Sequence, residues 1–153
     1  MAVLNLNNYS VVPSDVFGWE VNTDVGYGRE TFTITTTKKI GVGEVLVVNY
    51  ADKTATRVGA LANAAAVAAL GDLAVFVGRD LPNNPATAQD FDRLTLAATG
   101  KGVAITRGDG RGTLYKKYLM LGDVAFYNLP ADVQAALVAK FTTENRFKVL
   151  DQV

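Results

Sequence analysis

Between Glu30 and Thr37 the sequence alternates, with Phe32 and Ile34 standing between Thr31, Thr33 and Thr35. A period of two puts apolar side chains on one face and hydroxyls on the other, the pattern of a half-buried β-strand. The branched Cβ of threonine favours the same extended backbone. This segment commits the chain to a sheet with one wet face and one dry face, and the rest of the sequence extends the theme. Lys38-Lys39 marks a solvated end, and Ile40-Gly41-Val42-Gly43 reads as a turn. A second strand is predicted over Glu44 to Tyr50, apolar on both sides through Val45, Leu46, Val47 and Val48. Ala51-Asp52-Lys53 turns the chain, and Thr54 to Val58 returns antiparallel. Leu73 to Val77 predicts a third core strand closed by Gly78, and Lys101 to Thr106 another.

Two segments carry helical signals. Alanines over Asn63 to Leu70 predict about two turns, with Gly71 placed to end them. Near the end, Val133, Leu137 and Phe141 recur at intervals of four behind Pro130, and Asp132 suits the positive end of a helix. That helix should stop near Thr142, and Arg146 to Leu150 should follow as a terminal strand with Phe147 and Val149 inward. Arg79 to Asp92, with Pro82, Asn83, Asn84 and Pro85, reads as a surface loop pinned by Phe91 and Leu94. Leu114 to Gly122 reads as a further apolar strand region interrupted by Lys116-Lys117.

Residues 1–29 follow neither period. Asparagines, Pro13, Gly18, Gly26 and Gly28 punctuate them, yet they carry Tyr9, Phe17, Tyr27 and the sole tryptophan, Trp19. Two readings stand. These residues cover one side of the domain's own core, or they form an extended arm that orders on another chain. The organisation expected is an N-terminal arm over 1–29 and one β-rich domain over 30–153.

The chemistry the chain can support is narrow. It has no histidine and no cysteine in 153 residues, which lowers the expectation of hydrolase, oxidoreductase or zinc chemistry and removes any disulfide. The aspartates show neither the ligand spacing of a calcium loop nor any catalytic pairing. The Arg107-Gly108-Asp109-Gly110-Arg111-Gly112 run lacks the Lys-Ser/Thr ending of a phosphate loop, and Asp109-Gly110 reads as a hairpin turn. Its Arg-Gly-Asp tripeptide is too short to carry an adhesion reading. The expectation is therefore no enzyme, no metal and no cofactor. Fifteen basic and fifteen acidic side chains cancel, so no broad field attracts nucleic acid or an acidic membrane, and little repulsion opposes self-association. The first twenty residues have no basic start followed by an apolar run, and Leu61 to Leu70 is too short to span a bilayer.

Four stretches, taken in order, give the chain a resemblance. Tyr27-Gly28-Arg29-Glu30-Thr31-Phe32-Thr33-Ile34, Ile40 to Leu46, Gly102 to Gly108, and the helix through Ala131 to Phe141 with the strand Arg146 to Val149 resemble the head decoration proteins of lambda-like tailed phages. The resemblance spans roughly residues 27–150. It departs at Leu61 to Asp92, which is long and alanine-rich, and at Tyr118 to Asn128, which has no counterpart. What it implies is a mainly β, small α+β domain (β-clip or β-tulip-like) with a short C-terminal helix and an extended N-terminal arm. It further implies a homotrimer on the outer surface of an expanded phage head, made in the host cytoplasm, that cements the major capsid protein. On this reading Trp19, Val21, Tyr27, Arg29, Thr31, Phe32, Thr33 and Ile34 meet the capsid, with Phe32 and Ile34 filling pockets while the arm adds a strand to an exposed edge. Two rival expectations are another virion part, such as a head-completion or tail protein, and a carbohydrate-binding module using Trp19, Tyr27 and Tyr115 as a stacking platform.

Overall fold

The computed structural model describes residues 11–19, 28–79 and 94–151. In chain order these form α1 (Pro13–Val16), β1 (Phe17–Trp19), β2 (Arg29–Thr35), β3 (Ile40–Gly41), β4 (Val45–Asn49), β5 (Thr54–Arg57), α2 (Ala64–Ala68), β6 (Asp72–Arg79), β7 (Thr95–Leu96), β8 (Gly100–Ile105), β9 (Thr113–Tyr115), β10 (Met120–Leu121), β11 (Val124–Ala125), α3 (Ala131–Thr143) and β12 (Lys148–Leu150). The chain is mainly β, a small α+β fold with a short C-terminal helix.

Strands β2, β5, β4, β6 and β8 close on one another in that order as a barrel. β2 runs antiparallel to β8, with Arg29 opposite Ile105, and parallel to β5, with Thr33 opposite Thr54. β4 is antiparallel to β5 and β6, and β6 to β8. Phe32, Ile34, Leu46, Val48, Ala55, Ala74, Phe76 and Ala104 pack together and are buried. A five-stranded barrel has a narrow interior, so large side chains need small ones opposite. Gly102 on β8 meets this need: a Cβ there would stand 2.5 Å from Ile34 Cδ1 and 2.7 Å from Phe76 Cε2.

A second core lies outside the barrel wall. Val45, Leu73, Val75, Val77 and Ile105 meet Val133, Leu137 and Phe141 of α3 together with Phe17, Leu114 and Phe147. This explains the unbroken apolar run of β6. Ala74 and Phe76 belong to the inner cluster and Leu73, Val75 and Val77 to the outer one, so both faces are buried. β2 alternates because Thr31, Thr33 and Thr35 face water. The α3 stripe is wholly buried, each of its three large side chains contributing about 1.5–3 kcal/mol. Beyond the helix, Asn145 is buried, and its Nδ2 donates to Leu73 O and Thr106 O, both at 2.7 Å, tying the start of β6 to the end of β8.

A three-stranded sheet completes the outer layer. β9 lies between β1, antiparallel, and β12, parallel, so Phe17, Leu114 and Val149 stand abreast. Part of the segment assigned to the arm is thus built into the body. Val16 is 0% and Phe17 6% exposed, the Phe17 and Phe147 ring centroids are 6.2 Å apart, and Asp15 accepts from the Val12 N–H at 3.0 Å to start α1. For residues 11–19 the reading that holds is cover for the chain's own core. Residues 1–10 and 20–27, with Val21 and Tyr27, lie outside the described residues, as do 80–93 of the expected loop.

Three local expectations are corrected. Asp109-Gly110 turns the chain without making a hairpin, because β9 pairs with β1 and β12 rather than with β8. The Leu114 to Gly122 region divides into β9, a 3-10 turn at Lys116–Tyr118 and β10. α2 ends at Ala68, before the Gly71 expected to close it.

Candidate functional site

The structure separates the residues singled out for partner binding. Arg29, Thr31 and Thr33 are exposed on β2. Phe32 and Ile34 are 1% and 0% exposed inside the barrel, so they cannot fill pockets on a partner, which corrects that expectation. The reason is period: the face that carries the aromatic and the isoleucine is the one that builds the core. β2 is also paired with β8 from Arg29 to Ile34 and with β5 from Thr33 to Thr35, so its second half has neighbours on both edges. Among the described residues the edge strands of the outer sheet are β1, which carries Trp19, and β12. Beside β12, Leu150 and Tyr127 are each 48% exposed, and the Tyr127 hydroxyl donates to Asp151.

A second constellation escaped the sequence reading. Glu44, between β3 and β4, is 4% exposed. One carboxylate oxygen accepts from Arg57 Nε at 2.8 Å. Arg57 Nη2 donates to Gly122 O at 2.6 Å and to Asp123 Oδ1 at 3.0 Å, and Lys38 Nζ reaches Asp123 Oδ2 at 2.7 Å. Burial pushes the Glu44 carboxyl up to about 7, against the pull of Arg57. Asp123, held by Lys38 and Arg57, sits below the usual carboxylate range. These four charges clasp the β10–β11 turn to the barrel. Glu44 also borders a cleft of about 270 Å³ walled by Val11, Val42, Leu94 and Met120, with Tyr118 and Lys117. The only sign in the sequence is a carboxylate placed directly before the run Val45 to Val48, where a strand-end glutamate ordinarily reads as solvated.

A third feature is the loop after β8. Gly108 N–H donates to Asn145 O at 2.8 Å, Gly110 N–H to Arg146 O at 2.7 Å, and Lys148 N–H to Gly112 O at 2.7 Å. The Arg-Gly-Asp tripeptide therefore lies in a loop clamped against the turn from α3 to β12. Gly108 is needed for that approach, since a Cβ would stand 2.7 Å from Phe147 Cδ1 and 2.9 Å from Arg146 O.

Among the described residues there is no group of three or more acidic side chains able to hold a metal ion, and no helix long and apolar enough to cross a membrane. No family model, curated protein or solved structure matches the chain.

Proposed function

We propose that this chain is a structural virion protein that binds the outer surface of an expanded phage capsid as a homotrimer and cements the major capsid protein. The observation that carries the reading is that the stretches giving the resemblance fall, in order, into elements of the kind it implies. Glu30 to Ile34 lies in β2, Val45 and Leu46 open β4, Gly102 to Ile105 lies in β8, and Ala131 to Phe141 and Lys148 to Val149 lie in α3 and β12. The balance of charge adds support, because nothing long-ranged opposes packing of like copies on a shell.

The mechanism proposed is backbone pairing with a capsid edge together with side-chain burial, multiplied by three copies on one rigid trimer. Trp19, Val21, Tyr27, Arg29, Thr31 and Thr33 are the proposed contacts, and Phe32 and Ile34 serve by holding β2 in the barrel. Electron microscopy of purified expanded heads with and without the protein tests this. Added density at local three-fold positions is expected; expanded heads that bind nothing would sink the reading. Stain intensity of whole particles on a gel separates it from a connector or tail role, since a decoration protein scales with capsid subunits and a connector with one vertex.

A further inference from the structure

The turn that leaves α3 holds an arginine in a left-handed backbone, two residues beyond the helix cap Glu144. Arg146 has φ +57°, a left-handed backbone that costs a side chain stability and glycine almost none. Its guanidinium crosses to the facing loop, where Nη2 lies 3.5 Å from the position a Cβ on Gly110 would take. That loop carries Arg111, and Lys148 follows on β12; all three side chains are exposed. Among the described residues none of the three has a side-chain hydrogen bond or ion pair, as holds also for Lys39 and Lys101, whereas Lys38, Lys53, Arg57, Lys116 and Lys140 are each paired with a carboxylate. The nearby acids are engaged elsewhere, Asp109 with Arg107 at 4.0 Å and Glu144 with Lys140 at 2.6 Å.

We propose that Arg111, Arg146 and Lys148 form a docking patch for an acidic segment of another protein. Lys53 and Asp109 adopt the same left-handed backbone, and what sets Arg146 apart is its place across from the loop that carries Arg111. The two guanidinium forks suit carboxylates, and the three backbone bonds across the clamp fix the platform before a partner arrives. A nucleic acid would call for a longer basic stripe and a positive balance, and this chain carries fifteen charges of each sign. The inference does not depend on the capsid reading.

The test uses the full chain with a fluorescein-labelled oligoglutamate peptide and a labelled single-stranded DNA of equal charge, followed by anisotropy at low and moderate salt. Peptide binding that weakens with salt is expected. Arg111→Ala should weaken it about three- to fivefold, the scale of one exposed ion pair. Arg146→Gly should weaken it similarly while raising Tm, a combination that a purely structural arginine would not produce. Undiminished binding by the variant combining Arg111→Ala with Arg146→Gly, no binding by the wild-type chain, tighter binding of the DNA, or a lower Tm for Arg146→Gly would each overturn the proposal.

Discussion

Glu44 makes stability depend on pH in a direction opposite to most acids. In the unfolded chain it titrates near 4.5 and in the fold at about 7. Between those values the folded protein holds a proton that the unfolded chain has lost. Its contribution is therefore most favourable below about 4.5 and declines as pH rises through about 7, by up to about 3 kcal/mol. The charges in its clasp and at its cleft are Arg57, Asp123, Lys38 and Lys117. Glu44→Gln retains an oxygen for Arg57 and removes the titration. Urea melts at about pH 5 and about pH 8 should show a smaller difference for the variant than for the parent. An unchanged difference would assign the pH dependence to other groups. This residue was not legible in the sequence, because its burial is created by the β10–β11 turn, which lies far along the chain.

At the level of elements, legibility followed the number of faces a segment buries. β2 and α3 each bury one side, so their periods of two and of about four could be read from Phe32 and Ile34 and from Val133, Leu137 and Phe141. β6 buries both sides, and its run Leu73 to Val77 has no period to reveal which residues enter the barrel. The parallel pairing of β2 with β5 was equally hidden, since partners far apart in sequence leave no local mark. Gly102 tests the barrel itself. Gly102→Ala places a methyl against Ile34 and Phe76, and about 1–3 kcal/mol of stability should be lost. Gly41→Ala, where a Cβ meets nothing within 4 Å, should change stability by less than about 0.5 kcal/mol. Denaturant midpoints for the two variants make the comparison, and equal effects would mean that the interior adjusts without strain.

On the scale of the whole molecule, the opening segment was the hardest to read. Its Pro13 and Gly18 resemble the punctuation of a free arm, yet Val16 and Phe17 complete a core that also draws on β4, β6, β8, β9, α2, α3, β10 and Phe147. Phe17→Ala should cost about 3–5 kcal/mol in a thermal or urea melt. A melt that does not move would return Phe17 to the role of a partner contact. The same sheet sets how the molecule bears load. β1 runs against β9 and β12 runs with it, so the chain enters at Phe17 and leaves at Leu150 on the Tyr115 side of the sheet. Tension between the two ends therefore pulls β1 and β12 sideways off β9, breaking their bonds in succession.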